Sequence, residues 1–357
     1  MLKSFRYILL PFSFLYGGIL WVRNKFFDKN ILRSATFNFP LICVGNLAVG
    51  GTGKTPMVEY LVKLLSDKYQ VATLSRGYKR KTKGFAIAAE DTSAVDIGDE
   101  PMQIHQKFPN ITVAVAEERV IGIPQLLFEK PQTEAIILDD AFQHREVKAG
   151  LNILLTDYNN LYYKDILLPA GDLRDIKSSS KRAGIIIVTK CTPDLSISEK
   201  NKIVNELRPL PNQKIFFTTI EYNTLYHLFT KESYVPDSDS EVLLICGIAN
   251  PQPIKTILAS EVASYELLQY KDHHIFSTDD LKEIKIHFHK IKNNKKIIVT
   301  TEKDAVRLAK FEKELSSFPI YVLPMEHQFL FNEGTFFENE VIQFVESFKN
   351  KAGELEI

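Results

Sequence analysis

The chain has 357 residues, of which 45% are hydrophobic and 25% charged, so its composition is that of a folded globular protein and its length predicts two domains. Lysine plus arginine and aspartate plus glutamate number 44 each, which gives no indication of a nucleic-acid partner. The three cysteines, Cys43, Cys191 and Cys246, have neither disulfide nor metal spacing, which predicts buried thiols in a reducing compartment.

The first 30 residues form a basic and apolar segment without an acidic residue up to position 27. Basic residues flank its apolar stretch, with Lys3, Arg6, Arg23 and Lys25 around residues 7–22. The stretch is shorter than the ~20 residues that a spanning helix needs, and no small-residue cleavage site follows it, as a secretory signal would require. An interfacial membrane helix and a helix packed on the protein's own core remain, and the basic flanks with Tyr16 and Trp21 favour the interfacial one.

The most specific motif is the glycine-rich turn GGTGKTP, between a predicted strand at 41–45 and a helical pattern that begins at Met57. Strand, glycine-rich turn and helix is the context in which backbone N–H groups bind phosphate oxygens. Lys54 is expected to reach the β- and γ-phosphates, and Thr55 to place its hydroxyl on Mg²⁺. The predicted nucleotide-binding residues are Gly50, Gly51, Thr52, Gly53, Lys54, Thr55 and Pro56.

This turn departs from the usual pattern at Ala48, where a glycine is expected five residues before Gly53. The Gly50-Gly51 pair supplies the backbone freedom instead. The alternative is an ordinary glycine-rich strand-to-helix turn, but Lys-Thr at the helix start and the flanking elements favour a phosphate site.

Apolar, β-branched runs alternate with helical patterns along most of the chain, which predicts α/β parallel sheets covered by helices. The predicted strands are 41–45, 71–75, 111–115, 135–138, 152–156, 185–189, 242–246, 297–300 and 320–323. The later predicted helices are 253–260, 279–292, 303–312 and 339–349. The predicted organisation is a membrane-associated helix at 1–30, a P-loop NTPase-like domain at 31–213, a two-stranded connector at 214–235 and a smaller α/β domain at 236–357.

Acidic and polar residues follow the predicted strand 135–138. An apolar strand that ends in Asp139-Asp140 is the form in which P-loop proteins hold Mg²⁺. Two adjacent carboxylates at a buried strand end are costly unless a cation neutralises them. A helix N-cap pair is the alternative. Gln143 and His144 follow closely and offer polar groups for phosphate or metal-bound water.

Asp99 and Glu100 stand between Gly98 and Pro101, where acidic residues commonly cap loops. A kinase also needs a group that accepts the proton of the substrate hydroxyl, and a loop carboxylate is a common answer, worth roughly 10²–10⁴ in rate. Three arginines on predicted loops, Arg76, Arg119 and Arg174, are candidates to bind a phosphate bidentately, with surface ion pairs as the alternative.

Asp272-His273-His274 follows a strand-like run in the second predicted domain. A histidine beside a carboxylate is suited to tuning a catalytic base, and a structural loop histidine is the alternative. The later segment Thr300-Thr301-Glu302-Lys303-Asp304 fits a capped helix start.

Taken together, these motifs resemble the tetraacyldisaccharide 4′-kinases, the lipid A 4′-kinase family of Gram-negative bacteria. The matching stretches are VGNLAVGGTGKTP, SRGY, GDEP, LDDAFQH, LPAGDLRD, DHH and TEKDAVRL, spread from residue 44 to 308. The resemblance implies an enzyme that transfers a phosphoryl group from ATP to the 4′-hydroxyl of a tetraacylated glucosamine disaccharide 1-phosphate, which gives lipid IVA. It also implies a protein docked by an N-terminal helix on the cytoplasmic side of the inner membrane, and it leaves protein partners and oligomeric state open.

By the same resemblance, Lys54 and Thr55 bind the nucleotide phosphates and the metal, and Asp139 and Asp140 organise Mg²⁺. Asp99 matches the general base, and His273 the residue that modulates it. The chain has Asp175 where the family commonly has glutamate, so the role of this acid is open. The competing functional hypotheses are a deviant P-loop ATPase or GTPase that acts as a membrane-associated switch or assembly factor, and a scaffold that binds nucleotide structurally.

Overall fold

The computed structural model describes residues 6–248 and 250–353. Contacts divide the chain into two units, described separately below. The first unit comprises segments 1–92, 104–221 and 326–357, and the second comprises 93–103 and 222–325, as far as these are described. Residues 1–5, which include Lys3 of the predicted N-terminal helix, and 354–357 of the predicted second domain lie outside the described residues.

The strands of the described chain form three sheets, the smallest of which is a parallel pair of Ala35–Thr36 with Val147–Lys148. In chain order they are β1 Ala35–Thr36, β2 Leu41–Asn46, β3 Val71–Ser75, β4 Ala86–Ile87, β5 Thr112–Val115, β6 Ala135–Asp139, β7 Val147–Lys148, β8 Leu151–Asp157, β9 Ile185–Thr189, β10 Lys214–Tyr222, β11 Leu225–His227, β12 Ser233–Tyr234, β13 Glu241–Cys246, β14 Ser264–Gln269, β15 Lys296–Thr301, β16 Ile320–Leu323 and β17 Met325–Phe329. Each strand predicted from an apolar run coincides with one of these, within two residues at either end.

Helices connect most of the strands. In chain order they are α1 Leu10–Asp28, α2 Lys54–Ser66, α3 Ala94–Ile97, α4 Asp99–Lys107, α5 Arg119–Glu129, α6 Ile197–Leu207, α7 Gln252–Glu261, α8 Thr278–Lys290, α9 Glu302–Leu308, α10 Glu312–Leu315 and α11 Gly334–Gly353. Short 3₁₀ turns lie at Tyr7–Leu9, Lys177–Arg182 and Ala309–Phe311.

The first unit is built on a sheet with the strand order β17-β10-β9-β8-β2-β6-β3-β5-β4 among the described residues. The strands from β10 to β5 pair in parallel, and β4 runs antiparallel to β5 at the edge. Strands β2, β3, β6 and β9 are buried along their whole length, as expected for a parallel sheet with both faces covered. The fold-class prediction is therefore confirmed for this unit.

The second unit carries a smaller sheet with the strand order β12-β11-β16-β15-β13-β14. Its central strands pair in parallel, and β11 and β12 are antiparallel additions at one edge. Apolar clusters line both faces, one around Ile284 and Phe288 of α8 and the other around Ile254 and Leu258 of α7. The smaller α/β domain is thus confirmed as a fold.

The unit boundaries differ from the predicted domain boundaries at three places. The predicted connector 214–235 is divided, because β10 pairs in parallel with β9 of the first sheet whereas β11 and β12 extend the second sheet. Segment 93–103 belongs to the second unit. The C-terminal helix α11 belongs to the first unit, since Phe337 packs on Phe216 and Phe329 there.

Two further sequence expectations concern the thiols and the N-terminus. Cys43, Cys191 and Cys246 are free and buried, as predicted. No helix among the described residues is long and apolar enough to span a bilayer.

We expect Phe337→Ala to lower the free energy of unfolding by about 3–5 kcal/mol, the usual cost of deleting a buried phenyl ring. Phe337 is fully buried, stacked on Phe329 at 4.6 Å between ring centroids and edge-on to Phe216 at 5.4 Å. Denaturant titration of both proteins measures the difference.

The matched control is Phe128→Ala, because Phe128 is 87% exposed in the same unit, and this change should stay within about 0.5 kcal/mol of the wild type. Equal losses in the two variants would contradict the assigned packing of α11.

Candidate active site

The glycine-rich turn of the first unit joins the end of β2 at Asn46 to the start of α2 at Lys54. Gly53 is the N-cap of α2 with φ +82°, and Gly50 has φ +101°, conformations that side chains other than glycine rarely adopt. The backbone N–H groups of the first helical turn have no partner within the helix, so they are available to an anion. This is the strand, turn and helix context that the sequence predicts.

A buried histidine, which the sequence did not indicate as a site residue, contacts the backbone of the glycine-rich turn. His327 is 3% exposed, and its Nε2 lies 2.8 Å from the carbonyl oxygen of Gly53, while Nδ1 lies 2.9 Å from the hydroxyl of Thr218. A carbonyl only accepts, so Nε2 carries a proton, and in the neutral ring Nδ1 accepts from the Thr218 hydroxyl. Burial, partly offset by the bond to Gly53, lowers the pKa of His327 to about 4.

Further polar contacts fix the middle of the turn. The Asn46 amide donates to the Thr52 hydroxyl at 2.9 Å, and the Thr189 hydroxyl donates to the Thr52 carbonyl at 2.9 Å. The Lys190 ammonium donates to the Gly51 carbonyl and lies 2.8 Å from an Asp157 carboxylate oxygen. The turn is therefore held by the ends of β2, β8 and β9, which are neighbours in the sheet.

The two acids at the end of β6 occupy different environments. Asp139 is the last residue of the strand and 8% exposed, whereas Asp140 has a left-handed backbone with φ +49°. Both terminal nitrogens of Arg174 donate to the Asp140 carboxylate, one of them at 3.0 Å, and Lys54 Nζ lies 3.8 Å from it. Burial opposes ionisation of Asp140, but the charge of Lys54 and the bonds from Arg174 outweigh it, so its pKa lies below the usual value.

Three of the remaining phosphate candidates lie near these groups. Gln143 donates to the Asn46 carbonyl at 2.6 Å. Arg119 is the first residue of α5 rather than a loop residue and is 2% exposed, and burial, opposed by the charges of Asp139 and Asp140, lowers its pKa to about 10. Arg76 is exposed after β3, as predicted for a loop.

The donor set at the strand end fits a hard cation. Thr55 offers a hydroxyl and Asp139 a carboxylate, the oxygen ligands that Mg²⁺ prefers, while Asp140 is engaged by Arg174. Across the described ranges, no group of three or more His, Cys, Asp or Glu side chains is arranged to hold a metal. An ion held by one or two protein oxygens and by nucleotide phosphates needs no such cage.

The second unit holds a separate polar cluster around Asp99. Asp99 begins α4, so it lies in the first turn of a helix and not in the loop that the sequence predicts. Arg307 of α9 donates from Nε to Asp99 Oδ1 at 2.9 Å and from Nη2 to Oδ2, and His273 Nδ1 lies 3.1 Å from Oδ2. Burial opposes ionisation of Asp99, but the bonds and charge of Arg307, followed by those of His273, outweigh it, and its pKa lies below the usual value.

Lys303 stands on the other side of His273. Its ammonium lies 3.0 Å from His273 Nε2 and 3.1 Å from an Asp272 carboxylate oxygen, with Glu100 at 3.9 Å. Asp99 and His273, which the sequence analysis selected from separate motifs, are therefore in direct contact. Arg307 and Lys303 belong to the motif TEKDAVRL, but nothing in the sequence of that motif indicates that they contact Asp99 and His273.

Comparisons with known proteins identify the family of the chain. Residues 5–344 match the family model described as tetraacyldisaccharide-1-P 4′-kinase, LpxK. The chain belongs to this family. Tetraacyldisaccharide 4′-kinase of Bacteroides thetaiotaomicron is 46% identical over 352 residues, which cover 94% of this chain and 92% of the relative. That of Flavobacterium psychrophilum is 48% identical over 345 residues, with 96% and 97% covered.

A solved structure is also similar. It is the crystal structure of an "apo" form of LpxK from Aquifex aeolicus in complex with ATP at 2.2 Å resolution. The TM-score is 0.74 at 31% identity, and the match covers 97% of this chain and 99% of that one. The resemblance drawn from the motifs is confirmed, and the family match spans both the glycine-rich turn and the Asp99 cluster.

Asp175, where the chain departs from the family's common glutamate, is a buried structural contact. Its carboxylate accepts from the Asn24 amide at 3.1 Å and from Arg182 at 3.2 Å. It also accepts from the backbone N–H of Ile176 at 2.8 Å. These bonds join α1 to the 3₁₀ turn Lys177–Arg182, so the acid holds the N-terminal helix in place.

The pKa of His327 leads to a pH prediction. The folded pKa of about 4 is below the ordinary 6.5, so the unfolded chain binds more protons between these values and stability falls as pH falls through this window. His144, whose pKa burial and the charge of Arg119 also lower to about 4, adds to the trend. We expect His327→Gln to be less stable than wild type near neutral pH but to lose less stability between about pH 7 and about pH 5.

Urea titrations at the two pH values measure this difference of slopes. His289→Gln, at an exposed histidine, is the control and should keep the wild-type slope. A wild-type slope in His327→Gln would contradict the neutral, buried state assigned to His327.

Proposed function

We infer that the protein is an ATP-dependent tetraacyldisaccharide 4′-kinase of lipid A biosynthesis. It transfers the γ-phosphoryl group of ATP to the 4′-hydroxyl of a tetraacylated glucosamine disaccharide 1-phosphate, which gives lipid IVA. The observation that carries this conclusion is the family match over residues 5–344, which includes both polar sites. The first unit is assigned to the nucleotide and the second to the proton acceptor.

For the nucleotide, we assign the phosphates to residues 50–56. The left-handed glycines open the turn, and Lys54 supplies a positive charge next to them. Mg²⁺ would be held by Thr55 and Asp139, with Asp140 and Arg174 beside them, and when bound it neutralises charge on the phosphates. Arg174, Arg119, Gln143 and Arg76 remain candidates for phosphate contacts.

For the acceptor, we assign Asp99 as the general base. Its depressed pKa keeps the carboxylate ionised at neutral pH, and His273 Nδ1 lies 3.1 Å from its Oδ2. The 4′-hydroxyl gives its proton to Asp99 while its oxygen bonds to the γ-phosphorus, and the bond to the β-phosphate oxygen breaks with its electron pair leaving on ADP. Glu100, close to Lys303, is a secondary candidate for orienting the substrate.

The deciding assay follows label from γ-labelled ATP into chloroform-soluble product with the tetraacyl disaccharide as acceptor. Wild type should label the lipid and consume little ATP without it. We expect Asp99→Asn to reduce lipid labelling roughly 10²–10⁴-fold, the usual contribution of a general base, and to bind ATP like wild type.

Asp91→Asn, at an exposed loop acid, is the control and should label lipid at the wild-type rate. ATP hydrolysis that ignores the acceptor would favour a nucleotide switch, and no turnover with any acceptor would favour a scaffold. Wild-type labelling by Asp99→Asn would refute the base assignment.

We also propose that α1 docks the protein on a membrane surface. The side of α1 that packs against the first unit is partly polar, with Ser13 and Asn24 buried there. The opposite side carries exposed apolar side chains, namely Phe12, Phe14, Leu15, Ile19, Trp21, Val22 and Phe26. A helix held only for its own packing would bury its apolar side. The inverted pattern, with Arg23 and Lys25 near the end, fits an interfacial helix.

The substrate supports the same placement, because four acyl chains keep the disaccharide in a bilayer. We assign the docked face to the cytoplasmic side of the inner membrane, where ATP is available. Attachment there is peripheral or monotopic.

Replacing Phe12, Leu15 and Ile19 together by serine should reduce binding to lipid vesicles by about a thousandfold or more, since each buried apolar side chain contributes about 1.5–3 kcal/mol and each 1.4 kcal/mol is about a factor of ten. All three are exposed, so the free energy of unfolding should change little. Vesicle cosedimentation measures the binding.

The matched control replaces Ile121, Phe128 and Ile197, also exposed, by serine and should bind vesicles like wild type. Equal binding by the α1 variant and wild type would remove the proposed membrane role of this helix.

A further inference from the structure

Helix α9 directs two cations at the Asp99–His273 pair. Lys303 and Arg307 are four residues apart and so lie on one face of the helix. Arg307 binds Asp99, and Lys303 contacts His273 on its far side. The pair is thus enclosed by two positive charges from a single turn of helix.

The geometry at Arg307 fixes the carboxylate of Asp99. Two guanidinium nitrogens donate to the two different oxygens of Asp99, and a third, Nη1, donates to the His274 carbonyl at 3.3 Å. Arg307 is 6% exposed, so little water competes for these bonds. A bidentate guanidinium restricts rotation of the carboxylate and favours its ionised form.

The contact with Lys303 favours one tautomer of His273. An ammonium only donates, so His273 Nε2, 3.0 Å from Lys303 Nζ, accepts with its lone pair and the ring proton lies on Nδ1. Nδ1 lies 3.1 Å from Asp99 Oδ2, which can accept that proton's hydrogen bond. Arg307 Nη2 also lies 3.0 Å from Nδ1. In the Nδ1–H tautomer, both of these nitrogens donate to the same Asp99 oxygen, Oδ2.

We propose that Arg307 and Lys303 are positioning residues of the kinase reaction, Arg307 by orienting the ionised Asp99 carboxylate and Lys303 by holding His273 in the Nδ1–H tautomer. The inference rests on the proposed function, in which Asp99 accepts the proton of the 4′-hydroxyl. The positive charge of Arg307 also favours release of that proton to solvent after transfer, which returns Asp99 to its ionised state.

Three acidic side chains lie close to Arg307 and Lys303. Asp304 lies 3.7 Å from Arg307, and burial raises its pKa. Asp272 and Glu100 lie near Lys303, at 3.1 Å and 3.9 Å. Within the described part of the second unit, Arg307 and His273 are the groups that lower the pKa of Asp99, so removing Arg307 should act on Asp99 directly.

The first test is the pH profile of kcat for Arg307→Gln. Without the guanidinium, the Asp99 pKa should rise by about one to three units, so the acid limb should move to higher pH by that amount. We expect kcat near neutral pH to fall at least about tenfold with the KM for ATP unchanged. Arg307→Lys keeps the positive charge but cannot form the two parallel hydrogen bonds to the Asp99 carboxylate. The acid limb of this variant should therefore stay nearer the wild-type position while kcat falls.

The second test does not depend on activity. In protein labelled with ¹⁵N-histidine, NMR should show His273 as the Nδ1–H tautomer, with its signals assigned by their loss in His273→Gln. Lys303→Met should shift it toward the Nε2–H form or the imidazolium. Lys282→Met, at an exposed lysine paired with Asp279, is the control and should leave the His273 signals unchanged.

An acid limb unmoved in Arg307→Gln, or a wild-type tautomer in Lys303→Met, would overturn this inference while leaving Asp99 as the base. Wild-type activity of Asp99→Asn would instead overturn the proposed function. Thermal unfolding of each variant checks its fold, and if Arg307→Gln does not fold, the Arg307→Lys profile and the Lys303→Met spectrum decide the question.

Discussion

The contact between the Arg174 guanidinium and the Asp140 carboxylate is the interaction on which the site of the first unit depends. A carboxylate beside a second acid at a buried strand end is stable only with compensating positive charge. Arg174 and Lys54 provide that charge. Because Arg174 also bonds to Asn46 at the end of β2, one side chain links the strand that precedes the glycine-rich turn to the acids that follow β6.

In the second unit, an arginine likewise compensates the charge of a partly buried carboxylate. Asp99 is half-buried and kept ionised by an arginine from a helix distant in sequence. The two carboxylates nevertheless have different tasks, since Asp140 belongs to the proposed nucleotide site and Asp99 is the proposed base. A carboxylate bound by arginine is a weak base, so Asp99 is suited to a reaction in which bond breaking to ADP runs ahead of proton transfer.

Much of this fold could be predicted because its information is local. Buried parallel strands are continuous apolar runs, and the glycine-rich turn needs glycine at particular backbone angles, so both are visible within a few residues. The partners of the site could not be predicted in this way. His327 and Gly53 are 274 residues apart in the sequence, and Arg307 and Asp99 are 208 apart. The sequence around His327 or Arg307 therefore gives no sign of these contacts. Helix α11 likewise packs on the first sheet through its side chains, and no sequence pattern at a domain boundary predicts this packing.

Helix α1 is bonded to the segment that carries Arg174. The Tyr16 hydroxyl donates to the Arg174 carbonyl at 2.9 Å, and Asn24 donates to Asp175. The proposed membrane helix is therefore hydrogen-bonded to the first unit and is not an independent anchor. Removal of this helix would take two hydrogen bonds from residues beside the proposed phosphate site, so a shortened protein would differ from the natural one in the support of that site as well as in the proposed membrane contact.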